Sequence, residues 1–180
     1  LASAALLEKI NRGEALDAEE ETAFDRVRQR VNRICEKAHA YGVPILIDAE
    51  ETWIQEPIDQ LADEMMARYN HERAIVFNTY QMYRTDSLDN LLHDYQTALT
   101  GNYFIGAKLV RGAYMEKERK RAEKMGYRSP IHPDKAATDQ AFNDALEFCI
   151  AHIDRVEVMC GSHNEYSNAL LTERMAQKQL

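Results

Sequence analysis

One segment near the middle of the chain combines a cation, two small residues and an aromatic ring. Its members are Lys108, Val110, Gly112, Ala113 and Tyr114. Lys108 stands inside an apolar run, where a buried ammonium needs an anion or a strong hydrogen-bond acceptor. Alternate residues of a strand share one face, so Lys108 and Val110 point to the same side, with Gly112 next in line. Because the two small residues leave the backbone accessible to a flat ligand, the segment indicates a binding site with Tyr114 as its aromatic wall.

Polar side chains also follow the other three apolar runs of the chain. They are Asp48 and Glu50, then Gln81, and finally Ser162, His163 and Asn164. In parallel α/β folds, ligand-binding groups gather at the carboxyl ends of the strands. We therefore expect all of these residues to belong to one shared site. Carboxylates with an imidazole suit several divalent metals, but nothing in the sequence fixes the distances between Asp48, Glu50 and His163, and we predict no metal.

Alternating strands and helices are the elements that would position these side chains. Strands are predicted over residues 43–47, 74–80, 103–110 and 156–160, and helices over 1–11, 17–41, 57–69, 86–99, 115–125, 134–152 and from 165 toward 177. Asp17 followed by Glu20 fits a capping box, and Gly42 supplies the helix stop. The nearly continuous apolar run 43–47 is typical of a strand buried on both faces.

The element order predicts a parallel sheet built from right-handed βαβ units. Four strands are too few for a closed barrel of eight, which takes roughly 250 residues. The alternatives are a small doubly wound sheet and part of a barrel. The first helix has no strand before it and the last has none after it, which favours part of a TIM-type barrel. We interpret residues 1–180 as one domain, with a helical lead-in over 1–42 and strand–helix units over 43–180.

Several motifs, in order, resemble the signature of the proline dehydrogenase family. They are Leu46 to Glu50, Gln81, Gly106 to Tyr114 with Glu116 and Arg121-Ala122, Lys135 with Thr138-Asp139, and Met159 to Asn164. Together they span residues from about 43 to 166. The resemblance implies a distorted (β/α)8 barrel that holds FAD at the carboxyl ends of its strands. It also implies oxidation of L-proline to 1-pyrroline-5-carboxylate, with electrons passed to a quinone.

The resemblance assigns roles around the flavin ring and the substrate. Lys108 corresponds to a basic position near the reactive nitrogen of the flavin, and Gln81 to a residue that hydrogen-bonds the ring. Val110, Gly112 and Ala113 would line the isoalloxazine. Asp48 would lie at the floor of the proline site and Tyr114 would form its wall, so the expected catalytic residues are Lys108, Asp48 and Tyr114.

The remaining implied contacts concern the rest of the cofactor. Lys135 and Thr138 resemble positions near its phosphates and ribose, and the helix that begins after Asp134 offers an N-terminus suited to an anion. The segment Ser162, His163 and Asn164 resembles the one that holds the dinucleotide portion.

Two features that the resemblance implies are not found in the sequence. One is a lysine on a strand before residue 43, which would pair with Asp48. The other is a pair of arginines with a glutamate beyond Asn164, which would hold the carboxylate and amine of proline. We therefore interpret the sequence as the central portion of a catalytic domain, unable by itself to close the barrel or turn over substrate.

Composition excludes several other functions. A net charge of −8 argues against nonspecific nucleic-acid binding, which depends on phosphate neutralisation, and no apolar run is long enough to span a bilayer. The three cysteines, Cys35, Cys149 and Cys160, are odd in number and lack a CxxC spacing, so we expect buried free thiols. The charged run 116–124 is predicted to be a solvated helix, and Trp53 is predicted to pack under the helix that follows it.

Two other functions fit the same residues. A buried lysine such as Lys108 could form a Schiff base in a lyase that acts on a phosphorylated substrate, and the chain could be an inactive fragment or interaction module. For the favoured reading, the resemblance implies a quinone acceptor and allows a partnering pyrroline-5-carboxylate (glutamate semialdehyde) dehydrogenase and peripheral membrane association. The expected location is the bacterial cytoplasm, or the matrix side of the mitochondrial membrane in a eukaryote.

Overall fold

Four parallel strands and the helices that connect them form the framework of the molecule. The computed structural model describes residues 2–48 and 50–180. The strands are β1 (Ile45–Ile47), β2 (Val76–Gln81), β3 (Ile105–Val110) and β4 (Val156–Cys160). The helices are α1 (Ala4–Asn11), α2 (Ala18–Tyr41), α3 (Gln55–Tyr69), α4 (Ser87–Gly101), α5 (Met115–Met125), α6 (Lys135–Ala151) and α7 (Glu165–Lys178), with a 3₁₀ turn at Thr52–Ile54.

The strands lie side by side in the order in which they occur in the sequence, β1-β2-β3-β4, and every pairing is parallel. Crossovers between parallel strands are almost always right-handed, so an unbroken order places all connecting helices on one face of the sheet. A doubly wound sheet would instead reverse its strand order at a switch point. The topology is therefore that of part of a TIM-type barrel, which confirms the predicted fold class.

The hydrophobic core lies between this sheet and the helices α3, α4 and α6. All six residues of β2 are buried. On β3, Ile105, Ala107 and Leu109 have no exposed surface and pack against the helices. The buried side chain of Asn70 ties the amino ends of the strands together: Nδ2 donates to the carbonyls of Val76 and Phe104 at 2.8 and 3.0 Å, and Oδ1 accepts from the amides of Ile75 and Val76. These bonds satisfy backbone groups that would otherwise be buried without partners.

The β1 side of the sheet is less buried than predicted. The segment 43–47 was expected to form a strand buried on both faces, but β1 is limited to Ile45–Ile47, its residues are half-buried, and Val43 is 58% exposed. Within the described residues β1 pairs with β2 alone. A cavity of about 530 Å³ with mainly apolar walls lies beside it, between α1, α2 and α3. The apolar stripe of α2 is correspondingly incomplete, since Val27 and Cys35 are buried but Ile34 is 45% exposed.

Most helix ends agree with the predicted signals. Asp17 and Glu20 form the capping box, and Gly42 ends α2 in the left-handed conformation. The side chain of Asp134 caps α6 by accepting from the amide of Ala137 at 2.8 Å. Three helix boundaries differ by two residues or more: α1 begins at Ala4, with Ser3 as its cap, rather than at residue 1, α3 begins at Gln55 rather than Pro57, and α4 extends to Gly101. Asn102, in the left-handed conformation, caps α4. Leu1, in the first predicted helix, lies outside the described residues.

Candidate functional site

A cavity of about 550 Å³ opens at the carboxyl ends of the four strands. Eight predicted site residues line it, namely Asp48, Glu50, Gln81, Lys108, Val110, Gly112, Ala113 and Tyr114. Thr79, Arg111 and Gly161 complete the lining, so every strand end contributes. The parallel arrangement thus brings together residues that are more than a hundred positions apart in the sequence. Ala49, between the two acidic residues of the first strand end, lies outside the described residues.

Lys108 faces this cavity and forms an ion pair with the carboxylate of Asp48. Its strand neighbours Ala107 and Leu109 are fully buried on the opposite face, as the alternation along β3 requires. The sequence predicted an anion for Lys108 and, by resemblance, a lysine from an earlier strand for Asp48. In the structure the two predicted residues are partners of each other. Because 69% of the Asp48 side chain is exposed, solvent screening limits the strength of the pair.

Gln81 is the last residue of β2 and is buried, rather than following the strand in a loop. Its side-chain Nε2 donates to the carbonyl of Glu50 at 2.5 Å. The hydroxyl of Thr79, two residues earlier on the same face, donates to the carbonyl of Ile47 at 2.7 Å. These two bonds fix the end of β1 and the start of its loop against β2, and therefore help to place Asp48 in the cavity.

Gly112 occupies a position that only glycine accepts. Its φ of +123° lies in the left-handed region, and a Cβ there would overlap the ring of Tyr83. Tyr83 is fully buried, and its amide donates to the carbonyl of Arg111 at 2.6 Å. The ring therefore supports the chain from behind, and the backbone of residues 112–113 forms part of the cavity wall without side-chain bulk.

Arg111 is a site residue to which the sequence analysis gave no role. Its guanidinium donates to Asp139 at 2.6 Å, to the hydroxyl of Ser162 at 2.8 Å and to the hydroxyl of Ser167 at 2.9 Å. It also lies 4.2 Å from the ring centre of Phe142. The planar fork of arginine suits several fixed acceptors at once, so Arg111 joins the end of β3 to α6 and to the loop after β4. The feature of the sequence that could have identified Arg111 is its place in the motif that also contains Lys108.

The residues predicted to contact the distal part of the cofactor lie beside the cavity and do not line it. Lys135 is an exposed side chain that pairs with Asp139 at 2.5 Å. Burial tends to raise the pKa of Asp139, but hydrogen bonds from Lys135 and Arg111 outweigh it, and the pKa is lowered. Thr138 is buried, and its hydroxyl donates to the carbonyl of Asp134 at 3.1 Å.

The loop after β4 is tied to this group through Arg111. Ser162 accepts from Arg111 and from the amide of Asn164 at 3.0 Å. Asn164 in turn caps α7 by accepting from the amide of Ser167 at 3.1 Å. His163 is exposed between them. The structure therefore organises the predicted residues into two groups, the cavity and its flank, with Arg111 between them.

A second polar cavity, of about 210 Å³, lies between α3 and α4 beside the end of β2. Asp59, Asp63 and Asp94 line it. Asp59 accepts from Gln55 and Asn78, and Asp94 accepts from the buried hydroxyl of Tyr80 at 2.7 Å. Burial, reinforced by Asp94, Asp59 and Glu56, raises the pKa of Asp63 to about 8. Asp63 therefore carries a proton at neutral pH.

The charged run of α5 is not a uniformly solvated helix, contrary to prediction. Glu118 has no exposed surface, and Ala122, one turn later, is also buried. Both carboxylate oxygens of Glu118 accept hydrogen bonds from Thr52 in the turn after β1. Trp53, which was predicted to pack under the helix that follows it, has its ring 4.3 Å from the guanidinium of Arg121 on α5.

The described residues contain no group of three or more His, Cys, Asp or Glu side chains that could hold a metal ion. All three cysteines are free thiols; Cys35 and Cys149 are buried, whereas Cys160 is only half-buried. Burial raises the pKa of Cys35 to about 11. No helix in the described ranges is long and apolar enough to cross a bilayer.

Comparison with known proteins identifies the family of this chain. The family model for proline dehydrogenase matches residues 2–180. The chain belongs to the proline dehydrogenase family. Human mitochondrial proline dehydrogenase 1 is 39% identical over 160 residues, covering 87% of this chain and 27% of the human protein. Its counterpart from Caenorhabditis elegans is 41% identical over 155 residues, covering 83% of this chain and 25% of that protein.

The solved structures support the barrel assignment. Proline utilization A from Bdellovibrio bacteriovorus, inactivated by N-propargylglycine, superposes with a TM-score of 0.81 at 18% identity, covering 89% of this chain and 17% of the other. At that identity the likeness concerns the fold. The chain spans about a quarter of the length of the human and Caenorhabditis elegans relatives.

Proposed function

We propose that the protein containing this chain oxidises L-proline to 1-pyrroline-5-carboxylate with FAD and passes the electrons to a quinone. The observation that carries the proposal is the shared cavity. Its lining includes Asp48, Lys108 and Tyr114 together with Gly112, whose backbone carries no side chain. Family membership supplies the reaction, because relatives of up to 41% identity are named proline dehydrogenases. The cavity supplies side chains of the types that such a reaction needs.

The lining of the cavity fits a flavin ring. Because Gly112 has no side chain and Tyr83 supports it from behind, the wall offers a backbone surface that a planar group can approach. Val110, Ala113 and Gln81 would hold the ring, together with Lys108. FAD bound there would supply the hydride acceptor, while the protein orients it and adjusts its electrostatics. A cation such as Lys108 stabilises negative charge that develops on a neighbouring group.

The flank of the cavity suits the rest of the dinucleotide. Lys135 and Thr138, at the start of α6, would lie near the phosphates and ribose. Ser162, His163 and Asn164 would contact the remaining portion. Arg111, which bonds Ser162 and Asp139, would keep these two segments in place relative to the ring.

For the substrate, Asp48 and Tyr114 are the residues that we propose to act. The carboxylate of Asp48 would form the floor of the proline site and accept hydrogen bonds from the substrate amine. The ring of Tyr114 would form the wall and exclude water from the reacting carbon. Residues of a different part of the protein would have to bind the substrate carboxylate, because Lys108 is already paired with Asp48.

The proposed partners follow from the same reaction. A quinone would accept the electrons, and a pyrroline-5-carboxylate dehydrogenase would consume the product. A solved relative is described as a bifunctional proline utilization A. Eukaryotic relatives are named mitochondrial. We propose the matrix side of that membrane in a eukaryote, and in a bacterium the cytoplasm with peripheral attachment to the membrane that holds the quinone.

Flavin absorbance tests the proposal directly. The intact protein should purify with bound flavin, and L-proline should bleach its visible absorbance under anaerobic conditions. Lys108→Met should slow this bleaching by about 100-fold, the usual effect of one electrostatic contact in a transition state. Lys124→Met, which removes an exposed lysine of α5, is the control and should bleach at the wild-type rate. Flavin that is bound but insensitive to proline would refute the proposal.

The Schiff-base alternative is weaker on structural grounds. A nucleophilic lysine needs a free amine that can attack a carbonyl, whereas the amine of Lys108 is in contact with the carboxylate of Asp48. Borohydride treatment in the presence of a carbonyl substrate should leave Lys108 unmodified, and a stable adduct on this residue found by mass spectrometry would favour the lyase.

A further inference from the structure

The loops after β1 and β3 are fastened to each other by contacts outside the cavity. Residues 51–53 follow the strand end that carries Asp48, and α5 follows the segment that carries Tyr114. We name these contacts the clasp, and define it as Glu51, Thr52 and Trp53 on one side with Lys117, Glu118 and Arg121 on the other. Thr52 and Glu118 are 66 positions apart in the sequence. The clasp therefore joins the loop that carries the floor of the proposed proline site to the segment that carries its wall.

The centre of the clasp is the buried carboxylate of Glu118. Its two oxygens accept from Thr52, one from the amide at 2.8 Å and one from the hydroxyl at 2.7 Å. A carboxylate without exposed surface is costly unless it is hydrogen-bonded, and hydrogen bonds to a charged group are roughly twice as strong as neutral ones. Glu118 thus favours strongly the one loop arrangement that satisfies both of its oxygens.

Three further contacts surround that carboxylate. Lys117 forms an ion pair with Glu51. The ring of Trp53 lies 4.3 Å from the guanidinium of Arg121 and 5.4 Å from the ammonium of Lys117. Burial tends to raise the pKa of Glu51, but the hydrogen bonds from Lys117 and from the backbone amide of Glu51, together with the charge of Lys117, outweigh it, and the pKa is lowered. Every contact of the clasp therefore draws the β1 loop toward α5.

The clasp bears on the site because of what its two sides carry. Asp48 and Glu50 precede Thr52 by only a few residues, and both line the cavity. Tyr114 immediately precedes α5, and its carbonyl accepts from the amide of Glu118 at 2.9 Å. A shift between the two loops would change the separation of Asp48 from Tyr114.

We propose that Glu118 is a positioning residue that holds Asp48 and Tyr114 at the separation required for substrate binding. This inference rests on the proposed function. If the closed arrangement of the loops were populated only in part, the apparent affinity for substrate would fall by that fraction. The expected signature is therefore a raised KM for L-proline at nearly unchanged kcat.

Thr52→Val and Thr52→Ser form the matched pair that tests the clasp in the intact protein. Valine has the same shape but lacks the hydroxyl that donates to Glu118, whereas serine retains it. Thr52→Val should raise KM for L-proline about tenfold, as expected for the loss of one hydrogen bond to a charged group, with kcat changed less than twofold. Thr52→Ser should stay within twofold of wild type in both. Equal KM values for the two variants would overturn the inference.

Hydrogen exchange of residues 50–54 gives a readout that does not depend on the reaction. The Thr52 amide is bonded to Glu118, so exchange of this segment should rise in Glu118→Leu. In Glu118→Gln it should stay near wild type, because the amide oxygen can accept from the Thr52 amide and the amide nitrogen can donate to the hydroxyl. A raised KM in Glu118→Gln with unchanged exchange would mean that the charge itself acts, and would contradict a positioning role.

The two proposals can fail separately. If the wild-type protein did not reduce flavin with proline, the proposed function would fall, and the exchange data alone would still decide whether Glu118 holds the loop. If proline oxidation were confirmed and the loop exchanged faster in Thr52→Val without any change in KM, the positioning role would be refuted and the proposed function retained.

Discussion

β1 and β2 are adjacent strands that differ sharply in burial, and the more apolar of the two, β1, is the less buried. Every residue of β2 is buried, whereas β1 is half-buried and the chain leading into it is exposed at Val43. β2 has a paired strand on each side, while β1 is paired only with β2 among the described residues. The comparison shows that burial in a parallel sheet depends on neighbouring strands and covering helices as much as on the residues of the strand.

The first test compares two asparagines, and for it we expect the largest effect on the free energy of unfolding. Asn70 satisfies four backbone groups at the amino ends of β2 and β3, and Asn32 accepts from Arg68 and Tyr69 on the β1 side, between α2 and α3. Asn70→Ala leaves buried amides and carbonyls unpaired and should lower the free energy of unfolding by about 4 kcal/mol, against about 1 kcal/mol for Asn32→Ala. Urea unfolding followed by circular dichroism measures both, and similar losses would contradict the distinction.

The second test uses two leucines from the strands themselves. Leu109 on β3 has no exposed surface, whereas Leu46 on β1 is half-buried. Leu109→Ala should cost about 3 kcal/mol of unfolding free energy, because it removes a buried side chain and leaves a cavity, and Leu46→Ala about 1 kcal/mol. A larger loss at Leu46, measured by the same unfolding method, would show that β1 is more tightly packed than its exposure indicates.

The smallest expected effect concerns pH and Asp63, which faces Asp59 and Asp94 beside β2. Its pKa is raised from an ordinary 3.8 to about 8, so between these values the folded state holds a proton that the unfolded state has lost. The free energy of unfolding should therefore fall as the pH rises from about 4 to about 8. Because solvent screens a half-buried carboxylate, the free energy of unfolding should decrease by only roughly 1–2 kcal/mol over this pH range.

The control for this prediction is Asp63→Asn, which cannot ionise. Unfolding measured at pH 5 and pH 8 should show a weaker pH dependence in this variant, which should be more stable than wild type at pH 8. A wild-type protein whose stability increases over this range would show that other groups dominate.

Sequence reasoning predicted most of the local structure and the strand ends at which the cavity opens. Helix ends at Asp17, Gly42 and Asp134 were predicted because a cap depends on neighbouring residues, which the sequence displays directly. The cavity was predicted because strand ends meet at one edge of a parallel sheet, whatever the side chains. The exposure of β1 was missed because it depends on which strands are adjacent.

The contacts that connect distant segments were the least predictable. Nothing in the sequence showed that Lys108 pairs with Asp48, 60 positions away, or that Arg111 bonds three residues of later elements. Glu118 was interpreted as one charge in a solvated run. A helix rich in positive and negative side chains does not indicate which of them faces inward. Burial of a single carboxylate is decided by the loop that covers it, and here that loop comes from the far side of the site.

The pairing of Lys108 with Asp48 has a consequence for which molecules can occupy the cleft. Each charge already has its counterion, so an anionic group that bound Lys108 would have to displace the carboxylate of Asp48. Because 69% of the Asp48 side chain is exposed, a hydrogen-bond donor can reach this carboxylate while Lys108 stays paired. The pair therefore leaves the acidic side of the cleft open to a guest and closes the basic side.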